Sequence, residues 1–190
     1  MLDSLAWLPP RHTTITEKRG SAELTPNVGP DALQVVRLQV AKNLDALKPT
    51  ELREVTRSLD LVRAAFAHTP QRDALGTVRT MGELKGLGDI VVGAFRPGDI
   101  VFFQSLKNVP PLGVLRRQRT DGTLELIAIS RGQIRQIKAH VHRRSRRRAH
   151  GRILNSFLRF KRPGDAKRTP YLAGQLITAI RRLGGSESER

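Results

Sequence analysis

The stretch Pro97-Gly98-Asp99-Ile100-Val101-Phe102-Phe103 decides the fold of this chain. Proline followed by glycine and aspartate is typical of a tight turn, and four apolar residues suited to a strand come directly after it. Further runs rich in β-branched residues follow, separated by turn signals such as Thr120-Asp121-Gly122 and Arg131-Gly132. The sequence therefore predicts an antiparallel meander with strands at 100–103, 112–115, 123–129 and 133–141. The strand at 123–129 is apolar on both of its faces, so we expect it to be central and covered by helices.

Helical patterns precede these strands. Apolar residues recur at spacings of three and four from Asp31 to Leu47, and a second stripe of this kind runs from Pro49 to His68. Such stripes are typical of amphipathic helices packed on a core. The run 77–87 is a weaker helical pattern, and we expect a last helix at about 172–183. The pattern predicts an α+β fold with N-terminal helices packed on a small antiparallel β-sheet, followed by a C-terminal helix.

One domain accounts for most of the chain, because 190 residues with 38% hydrophobic content suffice for one core. Residues 1–30 are rich in proline and glycine and predict an extended arm or linker, 31–184 form the domain, and 185–190 are expected to be a disordered tail. No run approaches the roughly 20 apolar residues that cross a bilayer, so we predict no transmembrane segment. No export signal is visible either. We therefore expect a cytoplasmic location by default, or the cell envelope if a signal was removed.

The net charge of +17 is concentrated in the C-terminal third. Residues 131–182 contain 16 lysines and arginines against one acid, Asp165. Such a surface attracts polyanions, so the expected partner is an anionic polymer (a nucleic acid or a cell-wall polymer) or an acidic protein. A solvated face that only keeps the protein soluble is the alternative. The candidate polyanion-binding residues are Arg143, Arg144, Arg146, Arg147, Arg148, Arg152, Arg159, Lys161 and Arg162. Phe157 and Phe160 lie among them and either add stacking contacts or belong to the core.

The order of these elements resembles the papain-like cell-wall cysteine hydrolases of the NlpC and CHAP type. Pro97 to Phe103 is similar to that family's turn and first strand, and Leu112-Gly113-Val114-Leu115 is similar to its next strand. Segments 151–158 and 169–174 resemble the C-terminal part of a bacterial subset. The resemblance covers about residues 31–183. It implies a papain-like fold in which a thiolate at the start of a helix, a histidine and a third polar residue form the catalytic site.

The residues at the three catalytic positions of that family do not match its chemistry. The chain contains no cysteine. The resemblance places Ser58 at the cysteine position, Pro111 at the histidine position and Ala128 near the third position. A serine hydroxyl is a weak nucleophile without a base, and proline offers no proton acceptor. The resemblance therefore implies a catalytically inactive hydrolase-like module, a pseudoenzyme that acts as a binding or scaffold protein. Ser58 lies within the helical stripe that ends at His68, which favours an ordinary helix residue.

Two other functions stay open. One is a structural protein of a large particle that associates with RNA or DNA, although aromatic residues at 4% count against sequence-specific recognition. The other is an active peptidoglycan or amide hydrolase that uses Ser58. His140 and His142 form a His-x-His pair of the kind that binds zinc, but no third ligand is near them in the sequence. We predict no metal site and no cofactor.

Overall fold

The protein, seen in a computed structural model, is described over residues 30–46 and 57–184. These residues form an α+β fold. The helices are α1 (Pro30–Ala46), α2 (Ser58–Ala65), α3 (Arg72–Thr77), α4 (Met81–Gly86) and α5 (Ala173–Leu176). The strands are β1 (Gly88–Ile90), β2 (Ile100–Phe103), β3 (Leu112–Gln118), β4 (Leu124–Ser130), β5 (Gln133–Ala139), β6 (Arg148–Ala149), β7 (Arg152–Ile153) and β8 (Ile177–Leu183).

Six strands form one antiparallel sheet with the order β1-β8-β2-β3-β4-β5. Strands β2 to β5 follow one another along the chain and pair in that order, so the predicted meander is confirmed. Strands β6 and β7 form a separate two-stranded hairpin. The sheet is larger than the small sheet expected from the sequence, because β1 and β8 extend it beyond β2.

The turn before β2 explains why the stretch from Pro97 to Phe103 decides the fold. The N–H of Asp99 donates to the carbonyl of Arg96 at 3.0 Å, and Gly98 has a φ of +93°. Proline and then glycine at the two central positions, with a positive φ at the glycine, are typical of a type II turn. The buried Asp99 carboxylate accepts two hydrogen bonds from the Arg182 guanidinium, at 2.8 and 2.9 Å. The turn therefore ties the start of β2 to β8.

The prediction of a C-terminal helix at 172–183 is wrong. Helix α5 ends at Leu176, and residues 177–183 continue as β8 between β1 and β2. Leu172, Leu176 and Ile180 have a helical spacing, which is why the pattern favours a helix. Strand β2 needs a second partner to satisfy its backbone, however, and β8 pairs with it along its whole length. This pairing overrides the local pattern, since tertiary context outweighs propensity.

Both faces of the sheet are buried. Helices α1 and α2 pack on one face and form the helix-side core, which includes Val40, Leu61, Val62, Phe102, Val114 and Ile127. Helix α5 packs on the other face and contributes to a second core, which includes Val101, Leu115, Leu126, Ala128, Ile137 and Leu176. Strand β4 alternates between the two cores. It carries apolar residues on both faces, as predicted, but it also contains the buried Glu125, and helices α1 and α2 cover only one face. It lies next to the edge strand β5 and is therefore not central in the sheet.

The helix predictions are confirmed over 31–46 and 58–65, with α1 beginning one residue earlier, at Pro30. The weaker pattern at 77–87 corresponds to the end of α3 and to α4. The predicted helical part at 49–56, the arm up to residue 29 and the tail at 185–190 lie outside the described residues. Within the described ranges, no helix has both the length and the apolar character that a membrane crossing requires.

Candidate functional site

The three positions that the resemblance assigns to catalysis do not come together. Ser58 is buried at the first position of α2, which packs on the helix-side core. Ala128 belongs to the second core, on the opposite face of the sheet. Pro111 is exposed in the loop before β3, and its carbonyl accepts the N–H of Phe103 at 3.0 Å. The neighbour of Ala128, Ile127, faces the helices, but this residue is also apolar and cannot act as the third polar residue. Nucleophilic catalysis needs its groups within hydrogen-bond reach of one another, and these positions do not provide that arrangement.

The basic residues form a different arrangement, which starts with residues 142–148, here called the arginine loop. All five of its arginines are exposed. The buried side chain of Asn155 supports this loop from below. Its Oδ1 accepts the backbone N–H groups of His140 and Gly174 at 2.8 and 2.9 Å, and its Nδ2 donates to the carbonyls of Arg143 and Arg146 at 2.9 and 2.8 Å. The amide therefore uses all four of its hydrogen-bonding positions.

His140 is the second support of the arginine loop. Its Nδ1 accepts the N–H groups of His142 and Arg143, both at 3.3 Å, and its Nε2 lies 3.0 Å from the carbonyl of Asp121. An accepting Nδ1 and a carbonyl beside Nε2 assign the neutral tautomer with its proton on Nε2. Both ring nitrogens are therefore engaged in hydrogen bonds that hold the loop. Among the residues that the structure describes, no group of three His, Cys, Asp or Glu side chains can hold a metal ion.

Gly174 lets the arginine loop lie directly against α5. A Cβ at this position would overlap the Oδ1 of Asn155, and it would lie 2.7 Å from the carbonyl oxygen of His140 and 3.1 Å from the Cα of Arg144. No other residue fits without moving the loop backbone. Together, the glycine, the buried amide and the imidazole fix the loop backbone through close packing and hydrogen bonds, and no carboxylate of the described residues forms a salt bridge with its arginines.

Stacked side chains lead from the arginine loop to the next basic segment. The guanidinium of Arg147 lies 4.3 Å from the centre of the Phe157 ring, and Phe157 stacks on Tyr171 with ring centres 5.6 Å apart. The ammonium of Lys161 lies 5.1 Å from the centre of the Tyr171 ring. Both Arg147 and Tyr171 contact the Phe157 ring, but Phe157 is still 42% exposed and is therefore not a core residue. Phe160 is 79% exposed.

A cavity of about 370 Å³ lies beside this stack. Its walls come from the loop after β2, from the hairpin that joins β4 to β5, and from residues 157–162. Among the residues that the structure describes, no acidic side chain lines it. Its cationic residues are Lys107, Arg131, Arg135, Arg159 and Arg162, and its apolar residues are Leu106, Phe157, Leu158 and Phe160. The cavity is therefore an electropositive pocket whose wall also contains apolar side chains.

Asp165 holds one side of this cavity. Its carboxylate accepts the backbone N–H of Arg162 at 2.9 Å and pairs with the guanidinium of Arg159 at 2.5 Å. The backbone hydrogen bond from Arg162, followed by the interaction with Arg159, keeps the pKa of Asp165 below its ordinary value. Within the described part of the chain, no carboxylate forms a salt bridge with Arg131 or Arg135. The positive charge of the cavity is therefore only partly compensated.

The structure places the predicted polyanion-binding residues in two groups. Arg143, Arg144, Arg146, Arg147 and Arg148 lie on the arginine loop with Arg152 beside them on β7, while Arg159, Lys161 and Arg162 lie at or near the cavity. Sequence reasoning missed Lys107 and Arg135, and it noted Arg131 only as a turn residue. No sequence signal joins these three, because they come from separate segments. It also missed the supporting role of Asn155, which carries no distinctive pattern.

No protein-family model, no curated protein and no solved structure matches this chain. The function therefore has to be inferred from the arrangement of the arginine loop and the cavity.

Proposed function

We propose that this protein is a non-catalytic binding module that holds an anionic polymer on its basic C-terminal third. One observation carries the proposal: five exposed arginines stand on a loop whose backbone is fixed by the buried Asn155 amide. Cationic groups held in place before binding lose little conformational freedom on contact with phosphates or carboxylates. The release of counterions from the polymer then favours association.

The order of the arginine loop favours binding over a face that only confers solubility. Solubility requires net charge, but it does not require charges in fixed positions. Crowding five like charges into residues 143–148 is unfavourable through self-repulsion, and a saturated hydrogen-bond network beneath the loop offsets that cost. A surface that serves only as a solvated face has no use for such a network.

The scaffold in this proposal is a papain-like fold of the NlpC and CHAP type that has lost its catalytic groups. The type II turn into β2, the meander from β2 to β5 and the packing of α2 on β3 and β4 support it. The non-catalytic part is supported by side-chain chemistry. Pro111 and Ala128 have no proton acceptor, and both ring nitrogens of His140 are engaged in hydrogen bonds. A serine without a base is a poor nucleophile.

Binding can be tested by fluorescence anisotropy with a labelled single-stranded oligonucleotide. Inorganic polyphosphate is added as a competitor and should displace it. We expect affinity to fall steeply with salt, and we expect simultaneous change of the five loop arginines to serine to reduce the slope of log K against log[salt] by roughly 3 to 4. The double variant Arg143→Ser with Arg144→Ser tests the loop. Its control is Arg72→Ser with Arg79→Ser, at exposed positions outside the basic third. Only the first pair should weaken binding strongly.

Two results would overturn the proposal. Unchanged affinity of the five-serine variant would show that the arginine loop is only a solubilising face. Hydrolysis of peptidoglycan or of a peptide amide by the purified protein, lost on Ser58→Ala, would show that the module is an enzyme. Circular dichroism of each variant separates a loss of binding from a loss of folding.

A further inference from the structure

The cavity has the size and lining of a small-ligand site. Its volume of about 370 Å³ lies within the roughly 300–1,000 Å³ that such sites occupy. Arg131 stands at the tip of the hairpin between β4 and β5, and Arg135 follows on β5. Guanidinium groups bind phosphate oxygens through paired hydrogen bonds, and neither arginine is paired with a described carboxylate. The lining is therefore complementary to a phosphate group.

Phe160 indicates that the ligand of the cavity carries an apolar or aromatic group in addition to a phosphate. Its side chain is 79% exposed at the rim of the cavity, between Arg159 and Arg162 in the chain, and a large exposed aromatic ring is unfavourable in water. Aromatic rings among cationic side chains are typical of proteins that bind single-stranded nucleic acids, because every base has a face that stacks. A phosphate polymer without bases gains nothing from this ring.

The stack of side chains connects the cavity to the arginine loop. Phe157 lines the cavity and also carries Arg147 on one face of its ring. A nucleic-acid strand that follows the arginines of the loop therefore reaches the cavity as soon as it passes the contact between Arg147 and Phe157. Single-stranded nucleic acid is flexible enough to follow this path, whereas a duplex keeps its bases stacked inside.

We propose that the cavity holds one nucleotide of a single-stranded nucleic acid, with its phosphate at Arg131 and Arg135 and its base stacked on Phe160. This inference rests on the proposed function and narrows its anionic polymer to one class. The arginine loop binds the neighbouring phosphates without reading their bases.

The experiment compares a ten-residue thymidine oligonucleotide with an abasic strand of the same length and charge, both measured by anisotropy against the full chain. We expect the oligonucleotide to bind about 5- to 150-fold more tightly, the range that one stacked base contributes. Phe160→Ala should remove this difference and leave the affinity for the abasic strand unchanged. Phe160→Trp should retain it. Val92→Ala, at an exposed apolar residue far along the chain, is the control and should change neither affinity.

The outcomes separate this inference from the proposed function. Equal affinities for the two strands, with salt-dependent binding intact, would overturn the nucleotide site and leave the polyanion-binding function standing. An equal loss of both affinities on Phe160→Ala would also overturn it, because the ring would then not be contacting a base. Absence of binding to either strand at low salt would defeat both proposals.

Discussion

The arginine loop and the cavity wall around Asp165 fix their arginines in opposite ways. Uncharged groups buried beneath the arginine loop hold its backbone, with Asn155 at the centre. One carboxylate near the surface holds Arg159 and the backbone at Arg162. Buried neutral hydrogen bonds are costly to break and insensitive to salt, whereas ion pairs near the surface are weak and screened. This protein therefore positions its densest charge through groups that carry none.

Asn155→Ala is the strongest test of this comparison. The change leaves two buried N–H groups and the carbonyl of Arg146 without their partner, while the carbonyl of Arg143 keeps the N–H of Arg146. Each unsatisfied group costs about 1–3 kcal/mol. We expect the free energy of unfolding to fall by at least about 3 kcal/mol, as measured by urea denaturation. Ser156→Ala removes a single acceptor, for the N–H of Lys138, and is the control with a smaller effect. A loss from Asn155→Ala no larger than from Ser156→Ala would contradict the central role of the amide.

Gly174→Ala tests how closely the arginine loop is packed. The added methyl group meets Asn155 and the carbonyl of His140, so the loop has to move. We expect a loss of about 1–3 kcal/mol in thermal or urea unfolding, as for other overpacked sites. Gly76→Ala in α3 is the matched control. A Cβ there meets nothing within 4 Å, and alanine is the better helix former, so this variant should be as stable as the wild type or more so.

Arg131→Asn tests whether the charge of Arg131 is kept in the cavity at the expense of backbone strain. Arg131 and Gly132 have φ values of +55° and +69°, the pattern of a type I′ hairpin turn that favours asparagine followed by glycine. We expect the variant to be more stable by about 0.5–1 kcal/mol, since asparagine tolerates this backbone better. It should also bind the single-stranded oligonucleotide less tightly. A variant that loses stability would show that the arginine side chain supports the fold.

Acid should loosen the cavity wall around Asp165. The folded pKa of Asp165 is below its ordinary value of 3.8, so its contribution is present above that value and is lost as the pH falls through the folded pKa. We expect a lower protection factor for amide hydrogen exchange at Arg162 below about pH 4 than at pH 6, with little change at the N–H of Phe103, which donates to the carbonyl of Pro111. Protection factors are compared because the intrinsic exchange rate itself changes with pH. Asp165→Asn should show the low protection already at pH 6, and an equal loss of protection at Phe103 would mean that the loosening does not come from Asp165.

The sequence predicts the parts of the fold whose signals are local. The turn at Pro97 to Asp99 and the meander after it depend on residues that are neighbours in the chain, and both are confirmed. Strand β8 depends on β2, whose residues lie about 80 positions earlier, so the helical spacing of 172–183 was misleading. The exposed arginines could be identified from composition. The cavity could not, because its walls come from three segments, and neither could Asn155, whose partners are backbone groups.

Tyr171 is the only tyrosine of the chain, and its position makes it a natural probe. Its ring stacks on the Phe157 ring and lies 5.1 Å from the ammonium of Lys161, at the junction of the two basic regions. Fluorotyrosine incorporation would therefore label this junction with a single ¹⁹F resonance and without any mutation. Changes in ring packing on either side would appear in one signal, so the communication between the two regions can be followed in the unaltered protein.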